Sequence, residues 1–156
     1  MKQAFTLIEL LVVVLIIGIL SAIALPQYEL AVKKTRVIAL LPVMKAIDQA
    51  QTEYFLANGS YAASFDDLAV ELPGNFTTEF VWGADQNQCY FPTASSVQCQ
   101  VKSVRNEITL EKYYNWRTYI CWPEGTTGKK ICQNLANTKD ADVCTSRGCA
   151  GYTFTF

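Results

Sequence analysis

The apolar and polar positions of this chain fall into three regimes. In residues 5–25 almost every position is apolar, and Glu9 is the one charged side chain between Lys2 and Glu29. A helix of that length, rising about 1.5 Å per residue, crosses a bilayer core of about 30 Å. The second regime is periodic. Val37, Leu40, Leu41, Met44, Ile47, Ala50 and Tyr54 recur every three or four positions, while Lys33, Lys34, Arg36, Lys45, Asp48 and Glu53 fall mostly elsewhere around the helix. Asn58-Gly59 is a stop signal, so an amphipathic helix continues the apolar one to about residue 58. Pro26 and Pro42 each remove a backbone donor and mark expected bends. At standard rise a helix over 5–58 measures roughly 80 Å.

The third regime is a connecting segment followed by strands. Ser64 is placed to cap a short turn through Phe65-Asp66-Asp67-Leu68, ended by Pro73-Gly74. Residues 76–82, 97–104, 108–114 and 117–122 are rich in Val, Ile, Thr and aromatic side chains and read as strands. Asn106-Glu107 and Asn115-Trp116 read as reversals, which makes the last three an antiparallel meander. The terminal Gly-Tyr-Thr-Phe-Thr-Phe alternates aromatic with small or polar residues and adds an edge or return strand. A sheet with one apolar face needs a cover, and the stripe of the amphipathic helix supplies it. The expected fold is α+β: one long N-terminal helix packed by its second half on a C-terminal antiparallel sheet.

Composition sharpens the picture at two points. Net charge is −1, with acidic and basic residues mixed, so no strong field argues for nucleic acid or anionic headgroups. The chain has no His and six Cys, at positions 89, 99, 121, 132, 144 and 149. An even count confined to the polar half points to disulfides and an oxidising compartment. Zinc is the competing reading, but it favours short Cys-x-x-Cys knuckles and often His, and neither is present. Six cysteines allow fifteen pairings. Pairing between neighbours in sequence, Cys89 with Cys99, Cys121 with Cys132 and Cys144 with Cys149, closes three short loops around turn-rich stretches such as Pro-Glu-Gly-Thr-Thr-Gly-Lys-Lys.

The apolar segment admits three interpretations. A secretory signal peptide would be cut after Ala22-Ile23-Ala24, yet the run exceeds the usual ~7–15 apolar residues and contains a carboxylate. A simple anchor would carry Glu9 at a cost of about 2.5–3.5 kcal/mol with nothing in return. The third interpretation rests on a resemblance. The stretch 4–36, which opens AFTLIELLVVVLIIGILSAIALPQYELAV and has FTLIEL as its specific core, resembles the N-terminus of type IV pilins and type II secretion pseudopilins. Asn-Gly-Ser-Tyr at 58–61 and the Phe-Asp-Asp-Leu turn are similar to the same group.

The resemblance implies a pilin-like fold and a particular life history. Residues 1–4 form a leader, prepilin peptidase cuts between Ala4 and Phe5, and Phe5 is N-methylated; Ala4 stands where the family usually has Gly. Residues 5–25 are the transmembrane and assembly half of the helix, 26–59 its amphipathic half, and 60–156 a disulfide-containing head. Glu9 would meet the Phe5 amine of an adjoining copy, and burial of both groups penalises a wrong stagger. Gly18, Ser21 and Ala22 give a face on which helices approach closely. The implied partners are copies of the chain and other pilins in a helical fibre, the peptidase and methyltransferase, inner-membrane assembly machinery, and membrane lipid. The implied location is the inner membrane with the head outside the cytoplasm, then a surface pilus or periplasmic pseudopilus.

Enzymatic chemistry finds little support. Without His, His-based triads and metal sites are excluded, and no phosphate loop of the required spacing exists. Asp66 and Asp67 read as surface or capping groups ahead of calcium ligands, which need six to eight oxygens. Asp140 and Asp142 lie in a polar loop and read as solvated. Tyr113, Tyr114, Trp116, Tyr119 and Trp122 would stack on bases or sugars, or divide between core and sheet surface; few basic residues accompany them. No catalytic residue, cofactor, metal or specific nucleic acid is assigned. The reading is a structural subunit of a pilus or pseudopilus. Its alternatives are a secreted protein with a cleaved signal peptide and an anchored binding protein that forms no fibre.

Overall fold

The computed structural model describes residues 6–71, 75–76, 79–82, 87–101, 108–145 and 148–155; side chains at 75–76, 79–82, 145 and 148–149 are outside that description. The chain divides into two units, Met1–Val32 and Lys33–Phe156.

Helix α1 runs over Leu7–Ile38 and passes through Pro26 without interruption. From Thr6 to Glu29 every residue is exposed, because an all-round apolar sequence offers no one face to a core. The interruption falls instead at Ala39-Leu40, where the Leu40 N–H donates to the Val37 carbonyl at 3.1 Å in a tightened turn. Helix α2 then covers Leu41–Asn58, with Pro42 in its first turn. A proline there lacks only a donor that a new helix would leave unused, so it starts α2 rather than bending a continuous rod. The second helix stops where Asn58-Gly59 predicts. Gly59 has φ 73° and its N–H donates to the Phe55 carbonyl at 2.8 Å, a conformation that only glycine adopts at little cost.

Val37, Leu40, Leu41, Met44, Ile47 and Ala50 are buried, as the periodicity requires, and Tyr54 is half-buried. Gln51 joins them although it is polar. Its side-chain amide donates to the Ala62 carbonyl at 3.0 Å, and its carbonyl accepts the Ala62 N–H at 2.9 Å. Both polar ends are thereby satisfied inside the core. Ser64 caps the 3-10 turn Phe65–Asp67 by accepting the Asp66 N–H at 3.2 Å.

The strands are β1 (Asn75–Phe76), β2 (Glu79–Trp82), β3 (Asn87–Thr93), β4 (Ser96–Gln100), β5 (Ile108–Tyr113), β6 (Tyr119–Pro123), β7 (Val143–Thr145) and β8 (Gly148–Phe154). Their spatial order is β1-β2-β3-β4-β5-β6-β8-β7, and every described pairing is antiparallel. The expected meander is β4-β5-β6, with Trp116 N–H donating to the Tyr113 carbonyl at 3.0 Å in the Asn115-Trp116 reversal. The Asn106-Glu107 reversal lies outside the described residues. Within the stretch 76–82, β1 pairs antiparallel with β2, Phe76 opposite Phe80, so the expected single strand is divided. The terminal strand lies between β6 and β7 and not at an edge.

Two elements depart from expectation. Gly125-Thr-Thr-Gly-Lys-Lys, read as turn-rich, begins helix α3 (Gly125–Ala136). Gly128, Ile131 and Cys132 form its buried face, and it packs on β6 and β8. Strand β3 was not anticipated because Asn87, Gln88 and Pro92 dilute its pattern. Its pairing is set by Cys89, which stands directly opposite Cys99 of β4. In both cases tertiary partners override weak local preference.

Candidate assembly segment and head anchors

Ala4 and Phe5, the expected cleavage and methylation positions, lie outside the described residues. The described part of the segment starts at Thr6, and its polar groups are closely arranged. The Thr6 N–H donates to Glu9 Oε2 at 2.8 Å, the Thr6 hydroxyl donates to the same oxygen at 2.7 Å, and the Glu9 N–H donates to Thr6 Oγ1 at 3.3 Å. Thr-x-x-Glu with reciprocal bonds is a capping box, which occupies backbone donors that a helix start leaves unpaired. The Thr6-Leu7-Ile8-Glu9 spacing carries that signal, which a reading of Glu9 as partner to the Phe5 amine does not contain. The carboxylate is also an anion at the positive end of the helix dipole.

Beyond the cap the surface is oily. Fourteen large aliphatic side chains from Leu7 to Leu25 are exposed. At about 1.5 kcal/mol or more for each, roughly 20 kcal/mol of apolar burial is unrealised. That exceeds the net stability of a typical domain, about 5–15 kcal/mol, so water is not this segment's resting environment. The helix is long and apolar enough to cross a membrane. A side chain added at Gly18 would meet nothing within 4 Å, which leaves that surface open.

In the head, the chemistry is structural. Cys89 and Cys99 are joined, as are Cys121 and Cys132, the latter pair tying α3 to β6. Cys144 is also disulfide-bonded; it faces Cys149 in strand register, and the Cys149 side chain is outside the description. No group of three or more potential metal-binding side chains occurs among the described residues.

Lys112 on β5 is only 4% exposed, and its ammonium lies 3.4 Å from Asp48 Oδ2 on α2. It also donates to the Tyr113 carbonyl at 2.8 Å and to the Trp116 carbonyl, and sits 5.7 Å from the Tyr119 ring centre. Asp48, expected on the surface, is 25% exposed, and its Oδ1 is buried with no hydrogen-bond partner among the described residues. Burial pushes its carboxyl above the usual aspartate range, although Lys112 pulls the other way. Burial, with the nearby Asp48 charge, also raises the Tyr114 phenol well above its ordinary range. On the opposite face of β5, Glu111 is buried and accepts the Trp122 indole N–H at 2.7 Å.

Asp142 is exposed, as its polar loop implies, and it also pins β8. Its Oδ1 accepts the Thr153 N–H at 2.8 Å and its Oδ2 the Thr153 hydroxyl. The aromatics divide between core and surface: Tyr114 and Tyr119 are buried, Tyr113 and Trp122 half-buried, and Trp116 exposed. They do not form one platform. Tyr119 stacks on Phe154 at 5.6 Å, Tyr114 lies 4.8 Å from Tyr61, and Tyr113 lies 4.9 Å from Trp116.

Residues 1–25 match the family model described as the prokaryotic N-terminal methylation motif. A fimbrial protein of Neisseria meningitidis serogroup B is 28% identical over 116 residues, 74% of this chain and 66% of the relative. The type IV major pilin protein PilE of Neisseria gonorrhoeae is 39% identical over 81 residues, 52% of this chain and 48% of its own length. A fimbrial protein of Pseudomonas aeruginosa is 40% identical over 76 residues, 49% of each chain. The chain thus spans just under two thirds of the first relative's length and about half of the others'. No solved structure matches.

Proposed function

We propose that the chain is a type IV pilin-like structural subunit of a pilus or pseudopilus, stored in the membrane and polymerised through α1; its match to the N-terminal methylation motif and its similarity to fimbrial proteins and pilins support this reading. The observation that carries this is the exposed apolar helix headed by a single carboxylate. Lipid covers that surface before assembly, and copies of the same helix cover it afterwards. Prepilin peptidase cuts between Ala4 and Phe5, and the Phe5 amine, once methylated, pairs with Glu9 of the adjoining copy. An ammonium and a carboxylate taken out of water together tolerate each other, whereas a wrong stagger strands both. The peptidase, its methyltransferase activity, inner-membrane assembly machinery and other pilins are the partners this requires. The head then lies outside the cytoplasm, where its disulfides persist.

Mass spectrometry of fibres sheared from cells that express the chain tests this reading. The expected result is that the chain is a fibre component whose mature N-terminus is methylated Phe5. A start at Leu25 would make the segment a signal peptide, and absence from any fibre together with retention of residues 1–4 would leave only an anchor.

A further inference from the structure

A cavity of about 460 Å³ opens in the head beside α3. Cys121 of β6 stands directly opposite Tyr152 of β8, and opposed residues of an antiparallel pair send their side chains to one face. Cys121 is bonded to Cys132 of α3, so Tyr152 lies on the helix side of the sheet, and it lines the cavity with Pro123. Lys129 lines it from α3, and Lys139 and Asp140 line it from the loop between α3 and β7. We propose that this cavity binds a small hydroxy acid about the size of one sugar ring. Its anionic group lies between Lys129 and Lys139, and its hydroxyls meet Asp140 and Tyr152. The inference goes beyond the fibre reading and does not depend on it.

Three features lead there. The first is Tyr152. It is only 2% exposed, yet its hydroxyl enters no hydrogen bond among the described residues. A buried phenol ordinarily finds a partner, and the cavity is where this one can. The second is charge. Lys129 and Lys139 are exposed, and neither has an ion-pair partner among the described residues. Two ammonium groups on one cavity attract an anion. Asp140 repels a second anionic group and accepts hydrogen bonds from hydroxyls, so the ligand carries one charge and several hydroxyls. The third is a frame that needs no ligand to form. The Gln133 side-chain amide donates to the Lys139 carbonyl at 2.8 Å, and the Asp142 N–H donates to the Gly151 carbonyl at 3.1 Å. The loop is thus held on both sides, which lowers the ordering cost of binding. The volume falls in the lower part of the range of ligand pockets, about 300–1,000 Å³.

The test titrates the full chain, isotope-labelled and held in non-ionic detergent micelles, with glucuronate, glucose or inorganic phosphate at matched ionic strength. Glucuronate is expected to give saturable amide shifts at Lys129, Lys139 and Tyr152, with a Kd of about 1 mM or tighter. Glucose lacks the charge and phosphate lacks the hydroxylated ring, so each is expected to bind at least about tenfold more weakly. Tyr152→Phe keeps the buried ring and removes only the hydroxyl. It should weaken glucuronate binding about three- to tenfold, the scale of one hydrogen bond, with the unfolding midpoint unchanged. Lys129→Ala combined with Lys139→Ala, both at exposed positions, should weaken it about tenfold or more. Amide spectra that superimpose on the parent over β6 and β8 establish that each variant is folded, so lost binding reports a lost contact. The proposal is overturned if glucuronate gives no saturable shift at these residues or if glucose or phosphate binds as tightly. Parental binding of glucuronate by either variant overturns it as well.

Discussion

Breaking the Asp48–Lys112 pair should cost more from the aspartate side than from the lysine side. At 3.4 Å and an effective dielectric near 20, the Coulomb attraction is about 5 kcal/mol. Most of that is offset by taking an ammonium out of water, so the intact pair contributes little net stability. Its halves are unequal. Asp48→Ala leaves Lys112, 4% exposed, with only the carbonyls of Tyr113 and Trp116, at a cost of about 2–4 kcal/mol. Lys112→Met keeps the buried stem and leaves Asp48, 25% exposed, able to hydrate, at about 1–2 kcal/mol. The double variant should be less destabilised than the sum, with a coupling energy of about 2 kcal/mol. Urea unfolding of the detergent-solubilised chain, followed by tryptophan fluorescence near Trp116 and Trp122, measures all four corners of the cycle. The sign of the pH effect follows from burial raising the Asp48 carboxyl. Stability from its protonation is full below the ordinary aspartate range and is lost as pH rises through the elevated folded value. Removing Lys112 raises that value further, so acidification from neutrality should stabilise Lys112→Met relative to the parent. A coupling energy below about 0.5 kcal/mol, the level of an exposed pair, would refute the reasoning.

Three further outcomes are expected. Gly151→Ala places a Cβ 2.9 Å from Val143 Cβ and 3.0 Å from the Trp122 ring, and such overpacking should cost about 1–3 kcal/mol in the same unfolding assay. Replacing Cys121 and Cys132 together by Ser opens a bridge with sequence separation 11, and should cost about 3 kcal/mol and release α3, seen as faster hydrogen exchange over Gly125–Ala136. Burial acts to raise the Asp142 carboxyl, but the Thr153 bonds outweigh it and hold the group below its usual range. Its contribution is present above that range and is lost as pH falls through the depressed value. Asp142→Ala should therefore differ from the parent near neutrality and converge with it in strong acid, as a pH series of unfolding midpoints would show.

What could be read from the sequence was what neighbours in sequence decide. The apolar stretch, the Val37-to-Ala50 stripe, the Asn58-Gly59 stop and the Ser64 cap each follow from residues a few positions apart. Helix α3 was illegible because two glycines and two threonines in its first turns favour other conformations, and it forms through Ile131 burial and the Cys121–Cys132 bond. Asp48 with Lys112, Glu111 with Trp122 and Asp142 with Thr153 were illegible for the same reason, since each pair meets only when strands and helices are in place. Thr6 and Glu9 are the opposite case, a local pair whose Thr-x-x-Glu spacing is visible in the sequence and is itself a capping-box signal.

The two ionised groups that most need partners, Lys112 and Glu9, find them in different ways, and the difference follows from where they sit. The head surrounds Lys112 with other parts of the chain, so a carboxylate from α2 and carbonyls after β5 can be brought to it. Glu9 lies in a stretch whose described residues are all exposed, and its donors come from Thr6, one turn away. A charge in such a segment is compatible with storage in lipid only if the nearest residues supply a first partner. Threonine three residues before glutamate at a helix start meets that condition, with an amide and a hydroxyl on one carboxylate oxygen.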